Sequence, residues 1–140
     1  MKIIVASGYF NPLHKGHVEY LERARTLGDI LIVIVNTDLQ RAIKGSKEFM
    51  DQYERIMIVN ALRCVDQSVL AIDTDGTVCK TLEMLRSNML STDHLVFAKG
   101  GDRFATEMPE AEVCHRLGID MVDGLGNKIQ SSSWLLRDQS

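Results

Sequence analysis

Apolar and polar residues along this chain follow two alternating patterns. Short apolar runs rich in β-branched residues are typical of strands buried on both faces, and apolar residues at every third or fourth position are typical of helices. The predicted strands are Lys2–Ser7, Ile30–Asn36, Val65–Ile72, Leu95–Lys99 and Ile119–Val122. The predicted helices are Gly16–Leu27, Asp51–Arg63, Gly76–Met89, Pro109–Leu117 and a short last one at Ser131–Arg137, with a polar loop from Thr37 to about Phe49. This alternation predicts an α/β fold, a Rossmann-like open parallel five-stranded sheet with helices on both faces, in one domain over residues 1–140.

The turn between the first predicted strand and the first predicted helix carries the run Gly8-Tyr9-Phe10-Asn11-Pro12-Leu13-His14-Lys15-Gly16-His17. In an open parallel sheet such a turn faces the ligand crevice, and a helix N-terminus attracts phosphate. The imidazoles of His14 and His17 can donate hydrogen bonds to phosphoryl oxygens. The alternatives are a structural pair or a metal site, but zinc requires further ligands, and His94 and His115 are far away in the sequence. The pattern favours phosphate chemistry.

A basic cluster of Arg41, Lys44 and Lys47 lies in the predicted loop after the second strand. Most such clusters are solvated surface charges. Lys44 differs because the glycine that follows it, Gly45, lets the backbone fold close to a ligand. Lys47 is the weaker of the two lysine candidates.

Two further runs have a ligand-binding and a structural interpretation. Lys99-Gly100-Gly101-Asp102 follows the fourth strand and is either a tight turn or a place where the backbone approaches a nucleoside. In the second case Asp102 would accept a ribose hydroxyl or hold Mg²⁺ through water. Ser131-Ser132-Ser133 is either the N-cap of the last helix or a binding site for the β- and γ-phosphates. The residues alone leave both alternatives open.

The run His14-Lys15-Gly16-His17 matches the HxGH signature of the cytidylyltransferase-like nucleotidyltransferases, and the chain resembles that family over nearly its whole length. Other segments resemble the family's motifs in the same order: Leu27-Gly28-Asp29 with the strand after it, Lys44-Gly45, Glu54-Arg55, Lys99-Gly100-Gly101-Asp102 and Ser131-Ser132-Ser133. The subgroup that it resembles most is the nucleotidyltransferase domain of ADP-heptose synthases, followed by the glycerol-3-phosphate cytidylyltransferases.

The resemblance implies that the chain transfers a nucleoside monophosphate from a nucleoside triphosphate to a phosphorylated small molecule and releases pyrophosphate. It implies catalytic roles for His14, His17 and Lys44. It implies nucleotide contacts from a larger set of residues: Gly8, Tyr9, Phe10, His14, His17, Lys99, Gly100, Asp102, Ser131, Ser132 and Ser133. Mg²⁺ is expected to arrive with the nucleotide, with no metal site built from protein side chains alone.

The resemblance also implies that Asp38, Lys44 and Arg55 bind the acceptor. Asp38 has a simpler interpretation as a loop cap. Arg55 has a simpler interpretation as an exposed helix arginine paired with Asp51, four residues earlier.

Two departures from the family pattern affect these expectations. Asn11 stands where many relatives carry aspartate, so any carboxylate role there is absent. The Arg-Thr-x-Gly segment that precedes the serine or threonine run in cytidylyltransferases is missing, which favours ATP over CTP. Asn11 is also the one feature that suggests the alternative function, a catalytically silent nucleotide-binding or regulatory protein.

Composition narrows the class of protein. The formal net charge of −3 over 140 residues provides no basic patch of the kind that nucleic-acid binding requires. Isolated Cys64, Cys79 and Cys114 are typical of buried thiols in a reducing cytoplasm. There is no visible signal peptide and no apolar run long enough to cross a membrane. We therefore expect a cytoplasmic homodimer whose partners are a nucleoside triphosphate and a phosphorylated acceptor, without nucleic acid or membrane.

Overall fold

A computed structural model describes residues 1–45, 47–100 and 108–123 of the chain. Strands and helices alternate through this part. They are β1 (Lys2–Gly8), α1 (Lys15–Arg25), β2 (Ile30–Val35), α2 (Asp38–Lys44), α3 (Gln52–Asn60), β3 (Gln67–Leu70), α4 (Cys79–Ser87), β4 (His94–Ala98), α5 (Pro109–Leu117) and β5 (Asp120–Val122). No helix among these residues is long and apolar enough to cross a membrane.

The strands form one parallel sheet in the order β3-β2-β1-β4-β5. Alternate side chains of β1 and β2 enter two separate cores. One core packs against α1 and α3, and the other packs against α4 and α5. The predicted open parallel five-stranded sheet with helices on both faces is confirmed.

Strand order reverses between β1 and β4, because the chain leaves β1 towards β2 on one side and returns to β4 on the other. Such a switch point opens a crevice at the carboxyl ends of the strands. The paired residues of β1 and β4 extend to Val5 and Phe97, whereas β1 pairs with β2 as far as Gly8 and Val35. The crevice therefore lies beside the last residues of β1, where the histidine-bearing turn begins.

The prediction of a loop from Thr37 to about Phe49 is wrong in its first half, which forms the seven-residue helix α2. Thr37 caps this helix by accepting a hydrogen bond from the Gln40 backbone, and Gly45 ends it with φ of 86°. The buried residue of α2 is the polar Gln40, whereas the apolar Leu39 and Ile43 are exposed. The apolar residues of this short helix therefore do not mark its buried face, and the polar residues around them predicted a loop.

Helix α4 begins at Cys79, three residues later than predicted. The buried Asp73 carboxylate accepts hydrogen bonds from the backbone N–H groups of Lys80 and Thr81, at 2.7 and 3.1 Å. This carboxylate accepts hydrogen bonds from free N–H groups in the first turn of α4. The helix therefore begins at Cys79, and residues 76–78 precede it. The predicted helix at Ser131–Arg137 lies outside the described residues.

Candidate active site

The two histidines lie at the N-terminus of α1, where each accepts a hydrogen bond from the backbone. The Nδ1 atom of His14 accepts from the Gly16 N–H at 3.1 Å, and the Nδ1 atom of His17 accepts from the His14 N–H at 3.2 Å. Their rings stack with centroids 3.8 Å apart. Because both Nδ1 atoms are acceptors, each neutral ring carries its hydrogen on Nε2. The backbone thus makes both imidazoles Nε2–H donors.

His17 stays neutral at physiological pH. Burial, with a smaller contribution from the nearby His14, lowers the pKa of His17 to about 4. A neutral imidazole can donate its Nε2 hydrogen to an anion without first taking up a proton from solvent. The neutral His17 imidazole is therefore suited to donate a hydrogen bond to phosphate, and it is not suited to general acid catalysis at neutral pH.

A cavity of about 520 Å³ occupies the crevice between β1 and β4. Its lining includes five residues predicted to bind the nucleotide, namely Gly8, His14, His17, Lys99 and Gly100. Space beside Gly8 is limited, because an added Cβ would lie 2.8 Å from the Phe10 ring. The structure thus brings the predicted residues that follow β1 next to those that follow β4.

Tyr20 is a crevice residue that sequence reasoning missed. Its hydroxyl donates to the Ala98 carbonyl at 2.6 Å and accepts from the Ser7 N–H at 3.2 Å. It therefore bridges β1 and β4 at the point where their paired residues end, and it lines the cavity. Burial raises the pKa of Tyr20, which keeps the hydroxyl protonated. In sequence it is an apolar-face helix residue, indistinguishable from a core tyrosine.

A second cavity, of about 430 Å³, lies on the other side of the histidines. Its own lining residues are Tyr9, Phe10, Asn11, Pro12 and Lys47. Tyr9 and Phe10, which were predicted to contact the nucleotide, therefore line this cavity and not the crevice cavity. It shares His14, His17 and Lys44 with the first cavity. The two cavities therefore meet at the three residues that were predicted to be catalytic.

Lys44 reaches this meeting point from the last turn of α2, where its Nζ lies 4.4 Å from the centre of the Tyr9 ring. The other end of α2 is held by Gln40, whose side-chain amide donates to the carbonyls of Asp75 and Thr77, both at 2.8 Å. The helix is thus anchored at its start. Its exposed C-terminal lysine lies beside the histidines.

Comparison with known proteins agrees with this geometry. Residues 5–124 match the family model described as cytidylyltransferase-like. The chain belongs to the cytidylyltransferase-like family. The predicted resemblance to nucleotidyltransferases is therefore confirmed.

Individual relatives of this cytidylyltransferase-like chain differ in length. It is 40% identical over 130 residues to the bifunctional protein HldE of Citrifermentans bemidjiense, covering 88% of this chain and 25% of that protein. It is 30% identical over 138 residues to the FAD synthase of Picrophilus torridus, covering 96% of this chain and 93% of that protein. The crystal structure of a lipopolysaccharide core biosynthesis protein from Thermoplasma volcanium superimposes with a TM-score of 0.70 at 26% identity, covering 88% of this chain and 95% of that chain. The chain thus spans about a quarter of the HldE relative and nearly all of the FAD synthase.

Arg55, which was predicted to bind the acceptor, lines neither cavity. It is fully buried, and its guanidinium donates to the carbonyls of Tyr9, Asn36 and Met50 at 2.7 to 3.0 Å. Nη2 also bonds the Asp38 carboxylate at 2.7 Å. The alternative of a surface pair with Asp51 is wrong. Arg55 instead joins Tyr9, which lines the second cavity, to Asn36 and Met50, which line neither cavity.

Asp38, which was also predicted to bind the acceptor, makes hydrogen bonds to two residues of α3. One carboxylate oxygen accepts from Arg55, and the other accepts from the Gln52 N–H at 3.1 Å. Within the described part of the chain, the residues that line the two cavities do not include Asp38 or Arg55. Both residues instead hold backbone groups near the site in place through hydrogen bonds. Nothing in the sequence could have paired them, because 17 residues separate them.

Four predicted nucleotide-binding residues, Asp102, Ser131, Ser132 and Ser133, lie outside the described residues. Glu110 is a cavity residue that the sequence did not reveal, and its Oε2 accepts from the Val78 N–H at 3.1 Å. Over the described ranges, no group of three or more His, Cys, Asp or Glu side chains could hold a metal ion.

Proposed function

We propose that this chain transfers a nucleoside monophosphate from a nucleoside triphosphate, with ATP preferred over CTP, to a phosphorylated small molecule such as a sugar or polyol phosphate, and releases pyrophosphate. The observation that carries this proposal is the meeting of two cavities at His14, His17 and Lys44. A transferase of this kind needs two substrates to approach one another at a place rich in hydrogen-bond donors. Family membership supports the same reaction class.

In this proposal the nucleotide occupies the crevice cavity between β1 and β4, and the acceptor occupies the cavity lined by Asn11 and Lys47. An oxygen of the acceptor phosphate attacks the α-phosphorus, a new P–O bond forms, and the bond to the β-phosphate breaks to release pyrophosphate. The acceptor phosphate is already ionised, so the step requires no general base. Negative charge accumulates on the phosphoryl and leaving oxygens, and the two Nε2–H groups and the Lys44 ammonium stabilise it.

We further propose that Mg²⁺ binds the nucleotide rather than a site built by the protein. The donors at the meeting point are two imidazole Nε2–H groups and a lysine ammonium, which suit phosphate oxygens, whereas Mg²⁺ prefers oxygen ligands. When bound to the triphosphate, Mg²⁺ supplies charge neutralisation at its oxygens. The protein residues His14, His17 and Lys44 would orient the phosphates.

The preference for ATP rests on two observations. The sequence lacks the Arg-Thr-x-Gly segment before Ser131 and has Asp123-Gly124-Leu125-Gly126-Asn127-Lys128-Ile129-Gln130 there instead. The full-length FAD synthase relative, by its name, makes a product that contains an adenylyl group. Both observations favour adenylyl transfer.

Pyrophosphate release over a panel of phosphorylated sugars and polyols, with ATP and CTP in parallel, tests the proposed function. We expect release with at least one acceptor, a higher kcat/KM with ATP, loss of activity in EDTA and recovery with Mg²⁺. A kcat/KM that favours CTP by about tenfold, equal to about 1.4 kcal/mol in the barrier, would overturn the nucleotide preference alone. Nucleotide binding without turnover on any acceptor would instead favour the catalytically silent alternative.

Lys44→Ala is expected to raise the KM of the acceptor or the nucleotide by roughly 10- to 100-fold, the loss of one charge-assisted hydrogen bond. Lys44→Arg should recover only part of the affinity, because the guanidinium differs from the ammonium in shape and hydration. Lys80→Ala is the matched control, since Lys80 is an exposed lysine of α4 that lines neither cavity. Because Lys44 also stabilises the developing charge, kcat should fall too, and unchanged KM and kcat values in Lys44→Ala would make Lys44 an ordinary surface lysine.

A further inference from the structure

The side-chain amide of Asn11 makes three hydrogen bonds to the segment between α2 and α3. Its Nδ2 donates to the Lys47 carbonyl at 2.8 Å. Its Oδ1 accepts from the N–H groups of Phe49 and Met50, at 2.9 and 3.0 Å. Asn11 and Lys47 both line the proposed acceptor cavity. The amide therefore links two chain segments that line this cavity, those of Asn11 and Lys47.

This arrangement requires both a donor and an acceptor from a short side chain. Asparagine supplies both, whereas aspartate has only acceptor oxygens when ionised. An aspartate here could still accept from Phe49 and Met50, but it would place a carboxylate oxygen against the Lys47 carbonyl without a hydrogen between them. The departure from the family's aspartate thus adds a bond to Lys47 in this chain.

Lys44 and Lys47 approach the same cavity from one short stretch of chain. Gly45, with φ of 86°, ends α2 and turns the backbone between them. Lys44 is held by its helix and by the Tyr9 ring. Lys47 belongs to no helix or strand, and its own carbonyl is bonded to the Asn11 amide.

We propose that Asn11 is a positioning residue that places Lys47 beside Lys44, so that two lysines together bind the phosphate of the acceptor. This inference rests on the proposed function, because it assumes that the second cavity is the acceptor site. It deepens that function by specifying the acceptor group as a phosphomonoester dianion, whose charge matches two ammonium groups. It also gives Asn11 a role in place of the lost carboxylate.

Inorganic phosphate is a suitable probe, titrated by ³¹P NMR while α,β-methylene-ATP occupies the nucleotide cavity. Asn11→Asp and Lys47→Ala are each expected to raise the phosphate Kd by roughly tenfold, with the Kd of α,β-methylene-ATP unchanged within about twofold. In the double variant the effects should not multiply, because Asn11 acts through Lys47. Asn60→Asp is the control, since Asn60 bonds Ser68 on the surface and lines neither cavity.

Three results would overturn this inference: an unchanged phosphate Kd in Asn11→Asp, effects of Asn11→Asp and Lys47→Ala that multiply, or a wild-type chain that does not bind phosphate. A parallel rise in the α,β-methylene-ATP Kd would also overturn it, since Asn11 would then act on the shared histidines. A wild-type chain that binds phosphate in the expected way but releases no pyrophosphate with any acceptor would overturn only the proposed function.

Discussion

Replacing His14 or His17 with alanine is expected to lower kcat by roughly 10²- to 10³-fold, the loss associated with one preorganised donor to a developing negative charge. Backbone hydrogen bonds at both Nδ1 atoms direct each Nε2–H towards the meeting point of the cavities. Nucleotide affinity should fall much less, because the donors act mainly on charge that develops in the transition state. Pyrophosphate release at saturating substrates measures the effect, and nucleotide titration measures the affinity.

Two controls separate catalysis from folding in this experiment. His14 is also the N-cap of α1, so His14→Asn retains a favourable capping residue while it removes the imidazole. His115→Ala changes an exposed histidine of α5 that lines neither cavity. Because the pKa of His17 is about 4, kcat should not fall through deprotonation of His17 between about pH 6 and 8. Near-normal turnover in both alanine variants would refute the proposed role of the pair.

Arg55→Met is expected to destabilise the fold by about 3–5 kcal/mol, measured by urea unfolding, because it removes a fully buried guanidinium that donates to three carbonyls and to a partly exposed carboxylate. The substitution leaves Asp38 without its cation and the carbonyls of Tyr9, Asn36 and Met50 without a donor. Since Tyr9 lines the second cavity and the adjacent Gly8 lines the first, the surviving folded protein should also bind nucleotide and acceptor more weakly.

Arg63→Met is the matched control for Arg55→Met. Arg63 is exposed and follows α3, so its replacement should change the stability by less than about 0.5 kcal/mol. Equal stability of the two variants would show that the buried guanidinium does not support the fold. A stable Arg55→Met protein that has lost only acceptor binding would restore the acceptor role that the family resemblance implied.

The sheet could be predicted from sequence because β1 and β2 are covered on both faces, so their runs are apolar almost throughout. Helix α2 illustrates where prediction from local polarity fails. Leu39 and Ile43 are 54% and 55% exposed, while the polar Gln40 is fully buried. Gln40 is buried because its amide satisfies carbonyls on the turn before α4, which is remote in sequence. Local polarity therefore predicted a loop where a helix forms.

The sequence by itself determined the order of the five strands and of every described helix except α2, because that order depends on local periodicity. It also placed two histidines at the first strand-to-helix turn, where short-range hydrogen bonds within residues 14–17 hold them. It could also identify Lys44 as a site residue through the glycine that follows it. The tertiary structure alone decided that Arg55 pairs with Asp38 outside the two cavities. It also decided that Tyr20 bridges β1 and β4 and that the Asn11 amide binds the Lys47 carbonyl. Each of these depends on hydrogen bonds between residues 13 or more positions apart. Partners at such distances are chosen by the packing of the sheet, which no local pattern contains.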